Sequence, residues 1–205
     1  TSASKPRPKA PVHAKAPAKP PTIVADTTVL AVLDKLSALY PDAHCELQHH
    51  TAFELLVATV LSAQSTDVAV NKISPSLFKR WPDAAALAAA PVAEVEAAIA
   101  TIGMFRQKAK RLVELSRLLV RRHGGQVPST MEQLLELPGV GRKTANVVLG
   151  VWFKRAEGVV VDTHVQRLTQ RLGWTRWDSP TEIEQDLVRV IPRVGRSRST
   201  DGPIE

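Results

Sequence analysis

The stretch Leu137-Pro138-Gly139-Val140-Gly141-Arg142-Lys143-Thr144-Ala145 constrains this chain more than any other, because two glycines one residue apart stand between two apolar, leucine- and valine-rich segments. Gly139 and Gly141 let the backbone turn tightly and expose its N–H groups, and the helix expected from residue 142 begins there with its positive dipole end outward. A hairpin of this kind between two helices can hold a phosphate. A bare Gly-X-Gly would suit an ordinary packing turn, and the full string argues against that plainer reading.

The rest of the chain reads as helices. Apolar residues at spacings of three and four, Val29, Leu33, Leu36 and Leu39, predict a first helix from Thr28 that stops at Tyr40-Pro41. Residues 52–63 are apolar almost all round and predict a buried helix. Further helices are expected over 67–80, 83–89, 92–100, 105–123, 130–136, 142–153, 163–172 and 180–191, with Pro, Gly or short polar residues at the breaks. Val159-Val160-Val161 is too short and isolated to argue for a sheet and is expected to be an extended entry into the next helix. Abundant Ala, Leu and Val with few aromatics agree with an all-α class.

Charge is less informative than its total suggests. Of the net +7, residues 1–25 supply +5 through Lys5, Arg7, Lys9, Lys15 and Lys19, with no acid among them. That Pro/Ala/Lys-rich stretch has no apolar period and is expected to be a disordered tail. In the remainder, Arg106, Lys108, Lys110, Arg111, Arg117, Arg121 and Arg122 face the single acid Glu114 along one helix. A solvated helix face and a phosphate-tracking stripe fit that pattern equally. No apolar run approaches the roughly eighteen residues of a membrane span, and no apolar leader opens the sequence, so an intracellular, cytoplasmic or nucleoid protein with no membrane contact is expected. Cys45 stands alone and reads as an inert, half-buried thiol; the histidines show no ligand pairing, so no metal is inferred.

The hairpin string, followed by Val161-Asp162-Thr163-His164-Val165, resembles the endonuclease III branch of the helix-hairpin-helix DNA glycosylases. The likeness extends through Phe53-Glu54-Leu55-Leu56, Leu61-Ser62-Ala63-Gln64-Ser65-Thr66-Asp67 and Thr101-Ile102-Gly103-Met104-Phe105, covering about residues 28 to 192. It implies two helical lobes within 26–192, the second built from the first helix and about 162–192, with the active site in the cleft between them. Lys143 would then be a nucleophile at the start of the second hairpin helix, and Asp162 its carboxylate partner. The substrate would be double-stranded DNA carrying an oxidised pyrimidine or an abasic site, and the protein a monomer.

Chemistry suits those roles. A lesion nucleotide must leave the stack before its anomeric carbon can be attacked. An amine that attacks there forms a Schiff base, which permits β-elimination and strand scission. A cleft beside a helix N-terminus and Arg142 would favour the neutral amine, and Asp162 could take a proton or stabilise charge on the sugar. Without that context Lys143 would be a solvated surface charge and Asp162 a helix cap.

The resemblance further places Gln64 in the space left by the flipped nucleotide and Met104 as a wedge near the opposite base. Each also has a plainer reading, Gln64 solvating the end of a buried helix and Met104 filling core. Asp67 fits either the lesion pocket or the cap of the helix after it. Thr144 and His164 stand beside the catalytic pair and, with Gly139, Val140, Gly141 and Arg142, make the DNA-contact set. The lysine argues against the adenine-mismatch branch, which normally lacks it.

One expectation departs from the family. An iron–sulfur cluster held by four cysteines is usual there, whereas this sequence has only Cys45, so no cofactor is expected and residues 193–205 form a polar tail in its place. The alternative this raises is a catalytically impaired, truncated DNA-binding protein.

Overall fold

The computed structural model describes residues 26–155 and 157–191. Its elements, in order, are α1 (Asp26–Leu39), α2 (Ala52–Ser62), α3 (Asp67–Arg80), α4 (Ala84–Ala89), α5 (Val92–Ala98), α6 (Phe105–His123), α7 (Met131–Leu135), α8 (Arg142–Val151), α9 (Thr163–Arg171) and α10 (Pro180–Val190). The class is all-α, and no strand forms among the described residues; Val159 to Val161 is irregular chain leading into α9.

Local chemistry fixes the helix starts. The hydroxyls of Thr51, Thr66 and Thr130 and the carboxylate of Asp83 each accept a first-turn amide, capping α2, α3, α7 and α4. Thr66 receives the Ala69 N–H at 3.2 Å, so Asp67 is the first residue inside α3 and not its cap. Gly124, with φ +58, ends α6 in the left-handed conformation that a side chain would resist.

Two apolar clusters form. The larger gathers α2 through α8 around α2, where every residue from Leu55 to Leu61 is buried. With each buried Leu or Val side chain worth roughly 1.5–3 kcal/mol, that helix anchors the lobe. The smaller joins Val29 of α1 to Val161, Trp174, Ile183, Leu187, Val190 and Ile191, so α1 crosses the sequence to pack with the last two helices. The expected tails at 1–25 and 193–205 lie outside the described residues.

Candidate active site

The hairpin joins α7 to α8. Leu137 and Val140 are buried, and the Val140 N–H is spent on Leu137 O at 3.1 Å, so Val140 anchors the turn and its side chain faces the core. Gly139 has φ +82, the left-handed conformation that favours glycine, and a Cβ there would lie 3.3 Å from Arg111 Cδ, close enough that the arginine would have to give slightly. Gly141 is extended, a conformation open to any residue, but it caps α8 without a side chain and has nothing within 4 Å of where a Cβ would stand. No side-chain acceptor caps the first turn of α8 among the described residues. Gly141, Arg142 and Lys143 are exposed and Thr144 is half-buried.

Lys143 Nζ lies 3.9 Å from Asp162 Oδ2, with the lysine side chain 58% and the aspartate 35% exposed. The two come from different lobes: α8 packs in the larger cluster, and Asp162 follows Val161 of the smaller one. The oxygens of Asp162 divide the work. Oδ1 accepts the amides of His164 at 2.9 Å and Val165 at 2.8 Å, capping α9, which leaves Oδ2 turned toward the amine. The capping reading and the partner reading of Asp162 thus coexist in one side chain.

Two further residues come together on neighbouring loops. Gln64 and Met104 both hold left-handed backbones, at φ +55 and +58, and both are exposed. Their loops touch, since a Cβ at Gly103 would stand 3.4 Å from Gln64 O. Met104 therefore does not fill core, and Gln64 lies beyond the C-cap Ala63 of α2. Strain of about 1–3 kcal/mol per such residue is characteristic of positions held for function. His164 is exposed, its ring Nδ1 3.5 Å from an Arg167 guanidinium nitrogen. Asp67 is half-buried and near Cys45; burial, chiefly, together with the charges of Asp67 and Glu46 pushes the Cys45 thiol up, against a hydrogen bond involving the Leu47 backbone. Cys45 is consequently a poor nucleophile and ligand.

The basic stripe of α6 does not act as one surface. Arg117 donates to Ala88 O, Arg122 pairs with Glu136 at 2.7 Å, and Arg106 lies over the Phe105 ring. Lys110, Arg111 and Arg121 are exposed. Lys108 is buried, donating to Leu61 O at 2.8 Å and to Ser65 Oγ at 3.0 Å, and burial lowers its pKa.

A family model described as the HhH-GPD superfamily of base excision DNA repair proteins matches residues 57–193. Endonuclease III of Synechocystis is 52% identical over 167 residues, 82% of this chain and 75% of that protein. The chain belongs to the endonuclease III family. Endonuclease III of Bacillus subtilis is 45% identical over 78% of this chain and 74% of its own length. A solved non-covalent endonuclease III–DNA complex superposes with a TM-score of 0.81 at 42% identity, covering 86% of this chain and 83% of that one. A trapped endonuclease III–DNA covalent intermediate gives 0.80, also at 42% identity, over 86% and 85%.

A four-thiolate cluster of the kind the family resemblance implies does not fit this sequence, in which Cys45 is the one cysteine. Among the described residues no group of His, Cys, Asp and Glu is placed to hold a metal ion, and no helix is long and apolar enough to cross a membrane.

Three buried polar residues have places the sequence did not show: Asn146 and Glu184, and Lys108, which it offered only as part of the basic stripe. The signal was phase. Lys108 shares a stripe with Leu112, Leu115 and Leu119, Glu184 one with Leu187 and Ile191, and Asn146 one with Leu149, so each polar group falls on the apolar face of its helix. Counting the charges of a segment, without asking which face carries each, hides them.

Proposed function

We propose that this chain acts in base excision repair as a bifunctional glycosylase and abasic-site lyase on duplex DNA damaged at a pyrimidine, with Lys143 as nucleophile. The single observation that carries the assignment is the 3.9 Å approach of Lys143 Nζ to Asp162 Oδ2 across the cleft, beside the open first turn of α8. The relationship to an endonuclease III captured as a covalent DNA intermediate supports a covalent step.

In the neutral state the amine of Lys143 adds to C1′ of the extruded nucleotide as the glycosidic bond breaks and the base leaves with the bonding pair. Asp162 Oδ2 takes the proton that the attacking nitrogen loses and faces the positive charge that develops on the sugar. Opening of the ring, with a proton delivered to O4′, gives the iminium. Loss of a C2′ proton then expels the 3′ phosphate and nicks the strand. Gly139, Gly141, Arg142 and Thr144 hold the backbone near the lesion, the uncovered α8 amides meeting a phosphate. Gln64 and Met104 enter the stack from the opposite side, and Asp67 and His164 lie at its margins. The protein works as a monomer inside the cell, drawing only on its own side chains.

Borohydride trapping tests this. The chain incubated with duplex containing an abasic site or thymine glycol should form a reduced covalent adduct, and Lys143→Gln should abolish it while leaving the circular dichroism spectrum unchanged. A folded chain that binds duplex yet yields no adduct would instead be a DNA-binding relative without the chemistry.

A further inference from the structure

The catalytic pair spans two lobes, so its separation depends on what ties them. Lys143 is carried by α8, while Asp162 stands at the head of α9. Their mutual contact does not set that separation: both side chains are partly exposed, and 3.9 Å is a loose approach for an ion pair. Something buried must set the register between the start of α8 and the segment that delivers Asp162.

Glu184 occupies that place. It lies on α10, in the smaller cluster's helix, with its side chain 5% exposed. One oxygen, Oε2, accepts from Arg142 Nε, the residue directly before Lys143. The other, Oε1, accepts from Asn146 Nδ2 at 2.8 Å, one turn further along α8. The same Nδ2 approaches Val159 O at 3.4 Å, and Val159 is three residues before Asp162. Gly158 closes the arrangement: a Cβ there would stand 2.5 Å from Asn146 Oδ1 and nearer still to Glu184 Oε1, so the 158–159 chain rests directly on the polar atoms.

We propose that Glu184 is a positioning residue, its buried carboxylate pinning the first turn of α8 to the Gly158–Val159 segment and so fixing where Lys143 and Asp162 meet. The tie is costly as packing. Asn146 is buried with no hydrogen-bond partner for Oδ1 among the described residues, and the Glu184 side chain is held away from water. A junction that served cohesion alone would do as well with apolar side chains of similar volume. What a carboxylate adds is direction, because its two oxygens hold two partners at fixed angles. The inference also gives Arg142 a second task, as the link from Glu184 to the hairpin.

This inference rests on Lys143 acting as nucleophile. The test uses the full chain in single-turnover trapping on an abasic duplex at saturating protein. Alongside it, the Kd for a duplex with a reduced abasic site and the thermal midpoint are measured. Glu184→Gln keeps the volume but can no longer accept from both Arg142 and Asn146. Misplacement by about an ångström costs roughly 100-fold in a positioned reaction, so the trapping rate should fall by about 10- to 100-fold while Kd stays within about threefold. Gly158→Ala, which drives a methyl into the same atoms, should show the same split. Ile183→Val, a fully buried neighbour on α10, serves as the control for stability loss without displaced polar groups and should keep the parental rate.

A Glu184→Gln rate within twofold of the parent, a loss no larger than that of Ile183→Val at a matched thermal midpoint, or a loss seen equally in Kd would overturn the proposal. If Glu184→Gln does not fold, Gly158→Ala decides by the same criteria. A parent chain that traps no adduct removes the nucleophile assignment itself, and this inference falls with it. A parent that traps normally beside an unimpaired Glu184→Gln removes only the inference.

Discussion

At the scale of the residue, Asp162 combines two functions that substitution can separate. Its Oδ1 caps α9 and its Oδ2 faces Lys143. Asparagine is as good a cap as aspartate but carries no charge and takes no proton. Asp162→Asn should therefore keep stability within about 0.5 kcal/mol by urea unfolding while the trapping rate falls by at least about 100-fold. Asp162→Ala should lose both, with about 1 kcal/mol gone from the cap. Equal rates for Asp162→Asn and the parent would reduce Asp162 to a cap and return the proton transfer to water. The pair was legible only through the family resemblance, since by position alone Lys143, just inside a helix after a glycine turn, reads as a surface charge and Asp162, just before one, as a cap. What the spacing could not show is that one oxygen of the carboxylate is already taken.

Among the elements, α6 carries the strongest contrast between pattern and structure. A lysine on its apolar face is held under the end of α2, where Leu61 O and Ser65 Oγ receive its protons. The turn it supports is the one that presents Gln64. Burial lowers the Lys108 pKa, so the folded chain releases this proton at a pH where the unfolded chain, near 10.5, still holds it. In that window the unfolded state binds more protons, and stability from this group rises with pH; below the window the buried charge is carried at full desolvation cost. Urea unfolding of the parent and Lys108→Met from neutral pH to about 10.5 should show the parent gaining on the variant as pH rises, since the common titrations cancel. A difference that is flat or shrinks with pH would contradict the burial of a charged amine. The helix boundaries were readable because caps and breakers act locally, as with Thr51, Asp83 and Gly124. Lys108 and Glu184 were not, because their roles depend on which carbonyl or guanidinium another helix brings to them, and that is a property of tertiary packing.

For the whole molecule, electrostatics separates attraction from chemistry. Residues 1–25 hold five cations and no acid, leaving +2 for everything after them. In the described part, several arginines of α6 are spent on neighbours, while exposed Arg111 stands against the hairpin at Gly139, where cation and open amides can act on one phosphate. Strength of binding and placement of the lesion should thus reside in different stretches of chain. Each cation that neutralises a phosphate adds about 0.9 to the slope of log affinity against log salt, so removing residues 1–25 should lower the slope on duplex DNA by at most about 4.5. The adduct rate at saturating protein should not change, because Lys143, Asp162 and the groups that hold them all lie downstream. Trapping across a salt series with the parent and the shortened chain distinguishes the cases. A smaller slope with an unchanged saturated rate makes the leading stretch an attractor of phosphate alone. A fall in the saturated rate would mean that its lysines reach the cleft and share in the chemistry, and the assignment of nucleophile would then have to be made by locating the trapped residue directly.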